Sequence, residues 1–598
     1  MRLKDLGKSK LALLLVAMFV WTAVIYNQKW KNNEILCGDM VHLYIYLPAI
    51  FIYHDIHLNY INNNLPELVF KGSAFPNTTE DGKHHVSKMG CGYSIMVLPF
   101  FLIAHAIAPL TLDAPNGYTH IYGMFVCIGI FIYFLIALVY QRKILLHFFD
   151  ERTAAFTLIA IGLGTNLYLY TSYSPGNPHV LNFCLFSILI WKTIQWHQKQ
   201  TIKTSVIIGL LLGLITLIRP NDLVIVLFPL LYGIYDKRTL IEKVRIIINN
   251  KIELLFVLIC FFIAILPQLI IWKIQTGSFI YYSYNNEKFY FNHPHLIDGF
   301  FSFRNGMFIY TPIMLLILPG FVYAWKKYKN IALATTTFFL INSIIVFSWW
   351  CWWYGGSFGI RAMVESYAVL IIPFGCFVKG IGMNNKIKKY SLIVLLVLFV
   401  LLNQFQTLQS QTSLLHYSDM TFKTYKLIFG RIWWVKGYAE SLRDPDMEYA
   451  IQGKKERNFT DTFAFLNGGN IQNISIKAYN GKYVSADQNI KSKLIADRPL
   501  ASIWETFKIS MHEFGKCTLV DCDNKFVSLK LEDSAILIAN KENANQLEYF
   551  EIVPKYDNKF AIKAGNGKYV KTNPYDNYFL EATSDSVSKE ELFEISTK

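Results

Sequence analysis

Apolar runs long enough to cross a hydrocarbon layer ~30 Å thick, or nearly so within a packed bundle, recur through the first two-thirds of the chain. They fall at 10–26, 119–140, 154–171, 178–195, 203–219, 222–235, 252–273, 307–325, 331–350, 363–380 and 389–408, which predicts eleven membrane-spanning helices. The hairpin at 203–235 is the tightest, because its second arm barely reaches across. Another run at 93–110 is interrupted by His105, Pro99 and Pro109. Counting it as a crossing would carry Gln141, Arg142 and Lys143 to the face opposite the other basic loops, so an interfacial or re-entrant helix is expected there. The basic clusters Arg2 to Lys10, Arg142 to Arg152, Lys192 to Lys203, Lys237 to Lys251, Lys326 to Lys329 and Lys379 to Lys389 then share one side, which the positive-inside rule makes cytoplasmic. The loops 27–118 and 274–306, the turns near 172–177, 220 and 351–362, and everything after 408 lie on the other.

From about residue 460 the texture changes to short β-like stretches rich in Lys, Asn and Asp. Aligning the chain with itself matches Lys482-Tyr483-Val484, Lys525-Phe526-Val527 and Lys568-Tyr569-Val570, with the aromatic positions 43 residues apart each time. The same register carries Ala496, Ala539 and Ala582, then Glu505, Glu548 and Glu591, then Phe507, Phe550 and Phe593. A propeller needs about four blades, and only three copies fit. Three copies of four short strands close as a β-trefoil whose repeated aromatic and small residues form its core. The expected fold class is thus a polytopic α-helical membrane bundle of about eleven spans (1–408), external linker helices (409–465) and an all-β trefoil (466–598). Trp433 and Trp434 in the linker suit the headgroup layer. The pattern N-G-K-Y-V-S-A, L-I-A, W-E-T-F resembles the fascin-like trefoil family over about 470–597, which implies a module binding glycan or protein and no catalytic residue.

Composition agrees: 598 residues, 53% of them hydrophobic, with mean hydropathy +0.30, exclude a single soluble core. The formal charge of +15 forms no single basic stripe, so nucleic acid is not an expected partner. The nine cysteines show neither a C-x-x-C pair nor a zinc spacing. Cys37 and Cys91 share one external loop, where a disulfide and two free thiols are both open. Leu11 to Tyr26 lacks a following small-residue cleavage site and reads as a retained span. A bacterial inner membrane is the expected setting, with a cytoplasmic N-terminus and a periplasmic trefoil. Asn77-Thr78-Thr79 and Asn473-Ile474-Ser475 would be glycosylated only in a secretory lumen.

Candidate chemistry gathers on the outer side. Gly38-Asp39-Met40 opens the first external loop, and Asp39 reads either as a helix N-cap or as a functional carboxylate. Arg304 lies in Ser302-Phe303-Arg304-Asn305-Gly306, Arg361 ends Trp352-Trp353-Tyr354-Gly355-Gly356-Ser357-Phe358-Gly359-Ile360-Arg361, and Arg219 opens Arg219-Pro220-Asn221-Asp222. A guanidinium near the headgroups grips a phosphate through paired N–H donors, although any one of them could instead snorkel to lipid. His54, Asp55, Lys88, His179, Trp353 and Tyr354 are further candidate substrate contacts. His54, His84, His85 and His179 lack a metal-ligand spacing, so no metal is expected.

The order of G-D-M-V-H-L-Y-I-Y-L-P-A-I-F-I-Y-H-D, G-C-G-Y-S-I-M-V-L-P-F-F-L-I-A-H, I-R-P-N, F-S-F-R-N-G-M-F-I-Y-T-P and W-W-Y-G-G-S-F-G-I-R resembles the GT-C membrane glycosyltransferases, in particular bacterial relatives of the protein O-mannosyltransferases, over about 1–440. The resemblance implies that Asp39 acts as base or orients the acceptor and that Arg361, Arg304 and Arg219 hold a donor's phosphate. It implies inverting transfer from a polyprenyl-phosphate sugar to a glycan, lipid or protein acceptor, without a cofactor. Many relatives carry a second acid beside the first; here the next carboxylates are Asp55, Glu80 and Asp81. The rival readings are a transporter or lipid flippase, and an inactive anchor that displays the trefoil.

Overall fold

The computed structural model describes residues 7–32, 34–61, 76–79, 82, 85–382, 386–445, 447–454, 472–512, 516–532, 534–555 and 559–597. Arg2, Glu80, Asp81 and His84 lie outside the described residues. The chain divides into two compact units, Met1–Val435 and Lys436–Lys598, so the division falls inside the stretch expected as a linker.

The first unit is helical. Among the described residues six helical stretches are long and apolar enough to cross a membrane: Lys8–Asn32, Gly92–Leu110, His120–Phe148, Lys251–Thr276, Lys329–Phe347 and Lys386–Gln411. The other expected spans are shorter, more polar or broken. They are Glu151–Gly164 with Leu167–Ser172, His179–Gln198, Ile202–Ile218, Pro220–Leu231, Met307–Tyr310 through Ile317–Lys327, and Tyr367–Ile381. Prolines 220 and 312 stand at two of the breaks, where the missing N–H and fixed φ end regular helix.

Contacts between remote loops show which helix ends lie together. Ser9 N–H donates to Glu151 Oε2 (2.8 Å), and Arg142 reaches Ser9 Oγ (2.7 Å) and Glu151 (3.1 Å). Lys379 donates to Asp150 (2.6 Å), Phe149 packs on Tyr328 (ring centroids 5.2 Å apart), and Gly233 N–H donates to Asn330 O (2.8 Å). Lys243 joins Tyr232 O (3.2 Å) to His197. All six basic clusters therefore converge on one end of the unit. A chain that leaves this end through 8–27 and is back at it when 120–148 terminates has made no net crossing in between. Gly92–Ile107, expected as an interfacial or re-entrant helix, is with its extension to Leu110 long and apolar enough to cross. It runs antiparallel along one half of 120–148, with Tyr133 Oη donating to Met96 O (2.7 Å) and His105 Nδ1 bonded to Tyr122 Oη (2.7 Å).

Small residues let the helices approach. A Cβ on Gly209 would stand 2.3 Å from Val257 O, and one on Gly213, four residues on, 2.4 Å from the Ala264 Cβ. This small-x-x-x-small stripe seats 202–218 on 251–276. At Gly320 a Cβ would fall 1.9 Å from Pro373 O, a backbone atom that cannot yield cheaply. A two-residue ladder, β1 (Asn77–Thr78) with β2 (His85–Val86), ties down part of the first long loop. All nine cysteines are free thiols, Cys37 and Cys91 included. Cys37 Sγ instead meets Glu34 O (3.3 Å), and Cys91 is buried at the head of 92–107.

The second unit is a trefoil. Its strands are β3 (Gln472–Ala478), β4 (Tyr483–Asp487), β5 (Lys493–Arg498), β6 (Thr506–Met511), β7 (Lys516–Val520), β8 (Phe526–Lys530), β9 (Ile536–Lys541), β10 (Phe550–Pro554), β11 (Lys559–Lys563), β12 (Tyr569–Thr572), β13 (Leu580–Ser584) and β14 (Phe593–Thr597). The antiparallel pairs β3–β6, β6–β7, β7–β10, β10–β11, β11–β14 and β14–β3 close a six-stranded barrel. The hairpins β4–β5, β8–β9 and β12–β13 cap it, with an irregular register at Tyr483/Val484, Phe526/Val527 and Tyr569/Val570, one 43-residue period apart. Phe507, Phe550 and Phe593 are buried in the shared core, as are Val484, Val527 and Val570. The repeated glutamates are turn devices: Glu505, Glu548 and Glu591 accept from Ser502, Asn545 and Ser588 N–H at 2.8, 2.7 and 2.7 Å.

Two stability outcomes follow. Gly320→Ala is expected to destabilise the helical unit by about 1–3 kcal/mol, read as a lowered unfolding midpoint of the detergent-solubilised protein. Phe550→Ala should cost about 3–5 kcal/mol in chemical denaturation of the trefoil, and Phe507→Ala and Phe593→Ala should match it because the three sites are equivalent.

Candidate functional site

Gly38 adopts φ +61°, a conformation that favours glycine, and caps the short helix Asp39–Tyr44 without a side-chain bond. The Asp39 carboxylate is consequently not spent on capping. Its Oδ2 accepts from Arg361 Nη2 at 2.7 Å, across 322 residues of sequence. Arg361 opens the single turn Arg361–Met363. The preceding loop is fixed by Asn166 Nδ2, which donates to Phe358 O (3.1 Å), and by Tyr170 Oη, which accepts from Phe358 N–H (3.0 Å). The Asp39 side chain is 45% exposed and that of Arg361 18%, so the pair borders an opening. The Arg361 guanidinium holds the Asp39 carboxyl below its ordinary range; burial opposes this, and Lys88 and His42 add to it.

A second, buried cluster lies close by. Arg219, at the C-terminal end of 202–218, donates through Nη1 to Glu365 Oε1 (2.5 Å) and lies 3.0 Å from His179 Nδ1, which is itself 2.9 Å from Glu365 Oε2. Asp222 is held by Asn182 Nδ2 (2.6 Å) and Asn221 Nδ2 (2.9 Å). Buried charges persist only when paired in this way. Arg219 and Arg361 lie near enough for their like charges to oppose one another.

A third group knits the outer loops around Asp39. Lys88 Nζ donates to Glu287 Oε1 (2.5 Å) and lies 5.3 Å from the Tyr284 ring centroid. Trp350 Nε1 donates to Glu287 Oε2 (3.0 Å), and Ser283 Oγ to Lys88 O (2.7 Å). Loops 76–90, 278–295 and 347–361 thus meet at the Asp39 end.

The remaining candidates sit differently. Arg304 is buried with its guanidinium 5.5 Å from the Trp353 ring centroid, while Asn305 Nδ2 donates to Trp353 O and Tyr417 O, both at 3.0 Å. Tyr354, at φ +50°, donates to Val346 O (2.9 Å) beside the Arg219 cluster. Asp55 accepts from His57 N–H (3.0 Å) and Tyr60 N–H (2.8 Å), a turn-forming role, and His54 Nδ1 reaches Ile50 O (3.1 Å). Among the described residues no group of three or more His, Cys, Asp or Glu is placed to hold a metal ion.

Sequence reading passed over Glu365, Glu287 and Asn182. Glu365 carried a usable signal, being the one carboxylate within the apolar run 363–380. Glu287 carried none, since an acid in a long polar loop is unremarked.

Comparison with known proteins touches both units. A family model described as a domain of unknown function (DUF7910) matches residues 463–593. No curated protein matches. Among solved structures, the archaeal oligosaccharyltransferase AglB from Archaeoglobus fulgidus, in complex with an inhibitory peptide and a dolichol-phosphate, aligns at TM-score 0.40 and 12% identity over 71% of this chain. This chain spans 59% of that protein. The designed three-fold symmetric protein ThreeFoil aligns at TM-score 0.19 and 12% identity over 21% of this chain and 96% of its own. SeviL bound to asialo-GM1 saccharide aligns at TM-score 0.18 and 11% identity, over 21% and 98%.

The central ion pair makes a direct electrostatic prediction. With Arg361→Gln, the Asp39 titration should move upward, because burial then meets only the weaker help of Lys88 and His42. Infrared difference spectra against Asp39→Asn report the carboxylate band; an unmoved titration would contradict the pairing.

Proposed function

We propose that this chain is a membrane glycosyltransferase that moves a sugar from a polyprenyl-phosphate donor to a hydroxyl of a glycan, lipid or protein acceptor at the outer face, with the trefoil as a glycan- or protein-binding module. The observation that carries the reading is the pairing of Asp39 with Arg361 beside a second guanidinium, Arg219. Such transfer needs an acceptor carboxylate and a phosphate clamp in one place, at the depth where a lipid-linked sugar emerges from the bilayer.

In this mechanism the acceptor oxygen attacks the anomeric carbon from the side opposite the phosphate. The bond from that carbon to the phosphate oxygen breaks, its electron pair goes to the phosphate, and configuration inverts. Asp39, held at low pKa by Arg361, is a weak base. It therefore aligns the hydroxyl first and takes its proton only as the new bond makes that proton acidic. Arg361 and Arg219 stabilise the charge growing on the departing phosphate, the electrostatic contribution that usually dominates such reactions. Orientation follows the same reading: the end that gathers the basic clusters faces the cytoplasm, and the Asp39 end faces outward.

The test incubates membranes containing the protein with radiolabelled polyprenyl-phosphate sugars and follows label into acceptor. Transfer is expected without added divalent cation, and Asp39→Asn should lower it by about 100-fold or more at unchanged expression. Full activity of Asp39→Asn, or strict dependence on Mn²⁺ or Mg²⁺, would refute this reading.

A further inference from the structure

We infer that Glu365 is a positioning residue for the donor phosphate, acting through Arg219; the assignment rests on the glycosyl-transfer reading of the same site. Arg219 has an extended backbone at the end of its helix, followed directly by Pro220, so its backbone is fixed but its long side chain is not. What holds the guanidinium is Glu365, which accepts a hydrogen bond from Nη1 at 2.5 Å through a side chain only 2% exposed. The Arg219 side chain is 15% exposed, so one edge of its planar fork is anchored while part of the group stays open. Tyr284 lies near enough to both Arg219 and Asp39 to feel the charge of each.

Three further observations single out Glu365 over its neighbours. Glu365 follows Arg361 by four residues along a continuous run of tight turns, in which Val364 N–H donates to Arg361 O (3.1 Å) and Tyr367 N–H to Val364 O (3.1 Å). One rigid segment therefore presents one guanidinium and anchors the other, which sets the distance between them. The second Glu365 oxygen meets His179 Nδ1 at 2.9 Å, so the anchor is itself held by a further partner. Asp222, the other carboxylate of the cluster, is held by Asn182 and Asn221 and acts on Arg219 through its charge, whereas Glu365 meets the guanidinium directly. An arginine held in place before the phosphate arrives loses less side-chain freedom on binding and offers its remaining N–H groups in a fixed direction.

The test measures binding of undecaprenyl phosphate to the full chain in nanodiscs, for wild type, Arg219→Ala, Glu365→Gln, Glu365→Asp and Arg219→Ala/Glu365→Gln, with thermal unfolding of each. Glu365→Gln should weaken binding about tenfold, as expected for loss of a charge-assisted anchor, and Glu365→Asp should recover part of it. On the Arg219→Ala background Glu365→Gln should add nothing, because its effect passes through Arg219. Wild-type affinity in a folded Glu365→Gln protein would overturn the inference, as would an equal further loss on the Arg219→Ala background. Should Glu365→Gln fail to fold, the Glu365→Asp and Arg219→Lys pair decides on the same criteria. Sugar transfer measured on the same preparations separates the two claims. Coupled phosphate binding without transfer would sink the transferase reading alone; transfer with an indifferent Glu365→Gln would sink the positioning role alone. Absence of any undecaprenyl phosphate binding would sink both.

Discussion

The helical unit is organised by the cost of isolating a charge from water. Several ionisable groups of this unit receive a partner of opposite charge from a distant segment: Arg361 meets Asp39, Glu365 meets Arg219, and Glu287 meets Lys88. At the other end Arg142 meets Glu151 and Lys379 meets Asp150. These pairs do not add much net stability, because desolvation offsets most of the attraction. Their effect is to make alternative packings expensive, since a helix displaced from its place would strand a charge. The same pairs that define the candidate site therefore also fix which loops can lie over it.

Much of this architecture was legible in the sequence. Apolar run length located the helical segments, although only six stretches among the described residues are long and apolar enough to cross where eleven spans were expected, and 92–110, expected to make no crossing, is one of those six. The helix breaks were harder to see, because a run such as 307–325 is largely apolar, and its division depends on Pro312 and on the non-helical residue Thr311 before it. The trefoil was the easiest element, since a 43-residue period repeated through four columns admits few closures.

The site was legible only in part. Asp39 and Arg361 stood out as charges flanking apolar helices, yet nothing in spacing joins residues 322 apart. Glu365 was visible as the one carboxylate of its apolar run and was passed over, whereas Glu287 was hidden by the ordinary polarity of its loop. Arg304 has the residue type and context of a phosphate ligand, and its guanidinium also lies over an indole face, a contact that no one-dimensional pattern encodes.

The salt link between Asp39 and Arg361 leaves each charge satisfied by the other. An approaching anion meets a guanidinium already neutralised along one edge, so charge alone gains little there. Selection would then fall to the neutral contacts that a larger molecule brings with its charge, and discrimination against simple salts would be set by the pairing itself.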